Sequence, residues 1–235
     1  MKIRIFVFLA LLSFTASSQG FKYPPMPVQG KSVKSLLPAQ WKIVDSVSGD
    51  LNNDKEPDLV MVLEFYAAVK ESRAYGDNET DLITELQKPR ILAIYFKAGK
   101  NYKLNLQNNN FVLRAEEGGS TGDPLRPMRI TGNKLVLNYE GGAGWKWKLN
   151  YSFKHNNGTW QLTEAENYAY HSSSGEMSHK KYDFVNRKRT VINGTVNDRN
   201  AANKTEQQSL NSGKIRTFAT FKKPWTWEIR PGEFL

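Results

Sequence analysis

The chain is 235 residues long, has no cysteine, and carries a formal charge of +10 from 33 Lys and Arg against 23 Asp and Glu. Without cysteine there are no disulfide staples, thiolate metal centres, cysteine nucleophiles or lipid-anchored cysteines. The basic excess favours acidic surfaces such as anionic lipid, acidic polysaccharide or nucleic acid, or else serves solubility alone.

Residues 1–18 read as a secretory signal peptide. Lys2 and Arg4 give a positive start, Ile5 to Leu12 is an apolar run too short to span a bilayer, and Ala16-Ser17-Ser18 supplies small residues for cleavage. Removing this leader takes away two positive charges, from +10 to +8. No later stretch holds about 18 uninterrupted apolar residues, so no helical membrane span is expected. The expected location is secreted or periplasmic, where nucleic acid is not an expected partner.

Residues 19–40, with Pro24, Pro25, Pro27 and Pro38, read as an extended lead-in to a single domain over 41–235. Trp41 to Val47 alternates, with Trp41, Ile43 and Val47 as inward positions. Leu59 to Tyr66 reads as a buried strand. The polar stretch Lys70 to Lys88 has room for one short helix, N-capped by Thr80, opened by Asp81 and stopped by Pro89.

Strand patterns then dominate. Ile91–Phe96 and Tyr102, Leu104 and Leu106 flank the turn Ala98-Gly99-Lys100-Asn101, and Phe111–Leu113 is a short apolar piece. Met128–Ile130 and Leu135–Tyr139 flank Thr131-Gly132-Asn133-Lys134, a good hairpin turn. Trp145, Trp147, Leu149, Tyr151 and Phe153 alternate without a break, and Asn156-Asn157-Gly158 turns the chain into Trp160 and Leu162. Residues 197–213 read as an exposed loop, with Ile215–Phe221 and Trp225–Ile229 as final strands. The fold class is therefore all-β or mostly β: antiparallel hairpins in an open or double sheet with propeller-blade-like groups and at most one short helix.

The strongest chemical signal is Asp50-Leu51-Asn52-Asn53-Asp54-Lys55-Glu56-Pro57-Asp58, just before Leu59-Val60-Met61-Val62. Counting from Asp50, side-chain oxygens fall at the first, third, fifth and ninth places, from Asp50, Asn52, Asp54 and Asp58. Glu56 stands seventh, where such loops offer a backbone carbonyl. Gathered hard oxygens suit Ca²⁺, which takes about 6–8 of them in irregular geometry. An EF-hand would need glycine at the sixth place and glutamate at the twelfth; Lys55 and Met61 stand there, and the flanks are strands. The segment instead resembles the calcium loop of FG-GAP (VCBS-type) repeats, as in integrin alpha-subunit propellers, which runs Asp-x-Asn-x-Asp-Gly-x-x-Asp before an apolar strand. The match is a single copy over residues 41–65. It departs at Lys55, where the family has glycine, and a non-glycine residue held left-handed there costs roughly 1 kcal/mol. The resemblance implies a structural Ca²⁺ held by Asp50, Asn52, Asp54, Glu56 and Asp58. The alternative is an Asp/Asn-rich turn that bonds its own backbone.

Other motifs carry less. Gly118-Gly119-Ser120-Thr121-Gly122 has the Gly-x-Ser-x-Gly spacing of a nucleophile elbow, but Asp123-Pro124 and Pro127 block the helix that an elbow requires. His155, His171 and His179 lack the close spacing of a zinc site. The paired carboxylates Glu116-Glu117 and Glu164/Glu166 have the residue types for acid–base work, with no geometry readable from spacing. Trp145, Trp147, Trp225 and Trp227 are either core or, if exposed beside Lys222-Lys223, a platform for stacking sugars.

The expected function is a non-enzymatic binding or interaction protein with one structural calcium loop, its partner an unknown protein or acidic glycan. The alternatives are a carbohydrate- or polyanion-binding module and a secreted hydrolase.

Overall fold

A computed structural model describes residues 21–74, 82–197, 203–211 and 213–235. The expected leader over 1–18, Thr80 and Asp81, and part of the 197–213 loop lie outside the described residues.

The chain begins with β1 (Gln29–Gly30), β2 (Trp41–Gly49) and β3 (Asp58–Phe65), passes through a separate hairpin of β4 (Val69–Ala74) and β5 (Leu82–Gln87), and returns as β6 (Arg90–Ala98) and β7 (Asn101–Asn108). β1, β7, β6, β3 and β2 form a five-stranded antiparallel sheet in that order. The rest is a meander of β8 (Leu125–Thr131), β9 (Lys134–Gly142), β10 (Trp145–Asn156), β11 (Thr159–His171), β12 (Glu176–Asp183), β13 (Lys188–Thr195) and β14 (Lys204–Ser209). These make a seven-stranded sheet in sequence order, and a two-stranded ribbon of β15 (Glu228–Arg230) and β16 (Glu233–Phe234) closes the chain. The fold is mostly β with open antiparallel sheets. Among the described residues, helical turns are confined to the 3-10 segments Val33–Leu36 and Ala115–Thr121.

The turns follow local chemistry. Gly132 and Asn133 both take left-handed φ, 58° and 58°, between β8 and β9, as do Asn157 and Gly158 between β10 and β11. Two left-handed residues in a two-residue loop match the twist of the flanking strands.

The sheets enclose one core between them. β3 and β6 contribute Val60, Val62, Leu92 and Ile94; β9 and β10 contribute Leu135, Leu137, Leu149, Tyr151 and Phe153. Phe111 lies at its centre, edge-on to Tyr151, Phe153, Phe218 and Phe221 at centroid distances of 5.1–5.4 Å. The opposite face of the five-stranded sheet (Leu59, Met61, Leu63, Ile91, Ala93 and Tyr95) is covered by Phe21, Tyr23, Met26 and Leu36. The proline-rich lead-in is thus a cover layer. Burial on both faces explains why β3 and β6 read as unbroken apolar runs.

Four expectations are corrected. A β-bulge in β2 between Ile43 and Asp45 divides its apolar residues between faces: Trp41 and Ile43 pack outward under the cover layer, Val44 and Val47 toward the main core. The stretch leading to Pro89 is strand β5, paired antiparallel along its length with β4, from Val69 opposite Gln87 to Ala74 opposite Leu82. Part of 197–213 is the edge strand β14, paired with β13. Neither Phe111–Leu113 nor Ile215–Phe221 is a strand: the first is a buried bend, and the second is a largely exposed turn from which only Phe218 and Phe221 are buried. Backbone bonds from the Thr220 and Phe221 amides to the Thr217 carbonyl curl the latter so that Phe218 and Phe221 both enter the core.

Candidate functional site

The Asp50–Asp58 loop joins β2 to β3 and closes on its own amides. Asp50 Oδ1 accepts from the Asn53 N–H at 2.7 Å and Oδ2 from the Lys55 N–H at 3.0 Å. Asn52 Oδ1 accepts from Asp54 N–H at 3.1 Å, Asp54 Oδ1 from Glu56 N–H at 2.8 Å, and Asp54 Oδ2 from Asn52 Nδ2 at 2.8 Å. Asn53 and Lys55 hold φ of 67° and 70°. Lys55, the position where the FG-GAP motif has glycine, therefore takes the left-handed backbone for which glycine is suited.

Asp58 differs from the others. It is fully buried, its Oδ2 accepting from Leu51 N–H at 2.8 Å and its Oδ1 from Lys97 N–H of β6 at 2.9 Å. Burial pushes its carboxyl above the ordinary carboxylate value, against the pull of those two amides, and Asp54 and Asp50 add to the rise. The loop is also tied to the second sheet: Asn133 Nδ2 donates to the Asp50 carbonyl at 2.9 Å, and the Leu51 side chain enters the main core. It therefore sits at the seam where β2 meets β8, across which Asp45 Oδ2 accepts the Met128 N–H at 2.7 Å.

The donors present fit a hard cation in kind. Asp50, Asn52 and Asp54 are at least partly solvent-accessible, and each of their side-chain oxygens spends one lone pair within the loop and keeps another. Glu56 is exposed, and its side chain makes no bond within the loop. Asp58 is committed to two strands. Among the described residues, no three His, Asp or Glu side chains converge as a ready-made metal cluster.

The four tryptophans separate. Trp227 is buried against Phe184 and Phe221. Trp147 is half-buried and packs its ring against Gly141, where any Cβ would overlap the indole. Trp225 meets Trp147 edge-to-face at 4.8 Å and is itself half-buried. Trp145 is 47% exposed beside His171. The two rows are thus neither wholly core nor a continuous platform.

Trp225 borders a second polar centre, which the sequence did not announce. The inward face of the β4–β5 hairpin carries Glu71, Arg73 and Gln87, all buried. Fully buried Arg114 holds Glu71 through Nε at 3.0 Å and Nη2 at 2.6 Å, and also reaches the Tyr23 hydroxyl and the Val112 and Asn109 carbonyls. Arg73 pairs with Glu117, which also takes Lys223 Nζ at 3.0 Å and the Arg114 N–H at 2.6 Å. Burial alone would raise Glu117; Arg73 and Lys223 outweigh it and hold the carboxyl below its ordinary range. Beside this group opens a recess of about 340 Å³ walled by Trp225, Gln87, Glu85, Glu116, Glu117 and Lys223.

The remaining candidates stay apart. Ser120 lies in a 3-10 segment and donates to the Gly142 carbonyl at 2.8 Å. His155 packs against Phe96 and Trp160, His171 accepts from or donates to Ser173 and Ser174, and His179 faces Glu166 at 3.4 Å. Glu164 pairs with Lys134 at 2.9 Å. The buried arginines escaped the sequence reading because a charged residue in a polar stretch carries no sign of burial. Glu116-Glu117 was the visible trace of that centre.

No protein-family model, curated protein or solved structure matches the chain.

Proposed function

We propose that this is a secreted or periplasmic, non-enzymatic binding protein in which Asp50, Asn52, Asp54 and Glu56 hold one structural Ca²⁺, with Asp58 bracing the loop from below. The observation that carries the reading is the left-handed Lys55 at the glycine position of an FG-GAP-like loop, its amide on Asp50 and the neighbouring amides of Asn53, Asp54 and Glu56 on Asp50, Asn52 and Asp54. Calcium would supply the counter-charge that Asp50 and Asp54 lack among their neighbours. The loop's ties to β6 through Lys97 and to the β8–β9 turn through Asn133 give it a place where stiffening reaches both sheets. The build of residues 1–18 supports export.

A thermal melt tests this reading. Ca²⁺ at 100 times its dissociation constant stabilises a native state by about 2.7 kcal/mol, which corresponds to about 5–10 °C for a domain of this size. The expected result is such a rise in Tm over chelator for the natural protein and none for Asp54→Ala. Equal melting with Ca²⁺ and with chelator would reduce the loop to a self-bonded turn.

A further inference from the structure

We propose that the recess beside Trp225 is a subsite for a neutral saccharide, bound by stacking on the indole and by hydrogen bonds from the walls. It names a ligand class for the binding role above, and it does not depend on the calcium loop.

Three observations point there. Trp225 holds φ of 63°, a backbone region that bulky residues avoid, so the chain carries strain at the residue that presents this ring. Trp147 supports the indole edge-to-face, and Gly141 in turn makes room for Trp147. Gln87 is 2% exposed and lines the recess, and its Oε1 has no hydrogen-bond partner among the described residues. A buried amide oxygen without a partner is costly, and a hydroxyl donor arriving in the recess would relieve it.

The charge balance selects the ligand. Arg73, Lys223 and Glu117 together sum to one positive charge, and Glu85 and Glu116 add two negative charges, leaving a net of one negative charge. A polyanion is disfavoured by the negative charges of Glu116 and of Glu85, which among the described residues takes only the Gln87 amide, and a cation by Lys223. Donors and acceptors around an aromatic wall suit a ring of hydroxyls with an apolar C–H face. The volume of about 340 Å³ falls at the lower end of the roughly 300–1,000 Å³ typical of small-molecule sites, room for one or two sugar rings.

The test is calorimetric titration of the full chain with cellohexaose, maltohexaose and N-acetylchitohexaose, alongside a heparin fragment and tetramethylammonium. The proposal expects saturable binding of at least one neutral hexasaccharide. It expects at least tenfold weaker binding in Trp225→Ala, severalfold weaker binding in Glu116→Gln, and none of that loss in Trp145→Ala. Glu116 is exposed and makes no ion pair, so Glu116→Gln decides the matter if Trp225→Ala fails to fold. The proposal is overturned if no neutral hexasaccharide binds, if only heparin or tetramethylammonium binds, or if both site variants bind as the natural protein does. Repeating the titration in chelator separates the two readings: a calcium loop without function leaves saccharide binding intact, and an empty recess leaves the calcium-dependent melt intact.

Discussion

Arg90 shows at the scale of one side chain how this protein manages buried charge. It is fully buried, and its guanidinium meets Glu64 at 3.0 and 2.7 Å, Asp123, and the Leu113 carbonyl at 2.8 Å. Burial alone would lower the Arg90 pKa, yet Asp123 and Glu64 together outweigh it and hold it above the ordinary arginine value. A buried pair of this kind adds little over a well-packed apolar substitute, but removing one partner strands the other. Arg90→Met leaves buried Glu64 with only the exposed Lys42 at 3.1 Å. The expected cost is about 3–5 kcal/mol, read as a lower urea midpoint at unchanged slope. Glu117 gives the matching pH dependence. Its folded carboxyl lies below the ordinary value of 4.5, so its contribution is present above that value and is lost as pH falls through the depressed one. Asp123 and Glu233, held down by Arg90 and by Tyr182, Lys180 and Arg189 against the rise from burial, act in the same sense. Asp58, raised by burial, acts in the opposite sense just above its ordinary value. Three groups outweigh one. Urea stability is therefore expected to fall below about pH 4, and by less in Glu117→Gln, which begins weaker at neutral pH. A flat profile would contradict these pairings.

At the scale of elements, what decided legibility was which residues filled the buried face. β3 and β6 announced themselves because both faces are apolar, and β10 and β11 because one face is. The β4–β5 hairpin did not, because its buried face holds Glu71, Arg73 and Gln87 in place of an apolar row, and no period of two in hydrophobicity survives. β12 to β14 were missed for a related reason. Their inward positions include Lys180 and Arg189, which meet Glu233 of β16 only in three dimensions. The Asp/Asn loop was legible residue by residue, since side-chain oxygens before a strand leave a local pattern. The recess was not: Gln87, Glu117 and Trp225 come together from widely separated segments.

At the scale of the molecule, the main core draws on both large sheets, on the buried turn at Phe111–Leu113 and on the C-terminal segment through Phe218, Phe221, Trp227 and Leu235. The cover layer and the hairpin are attached to that core by Tyr23, Arg114 and Arg73. The loop after β2 lies where the sheets meet, and so a cation held there as proposed would bear on the whole fold. The decisive measurement is calorimetric titration of the full chain with Ca²⁺ at neutral pH. The proposal predicts one site per chain, lost in Asp50→Ala and Asp54→Ala and retained in Trp225→Ala. No heat of binding, or binding that survives both aspartate substitutions, would contradict it.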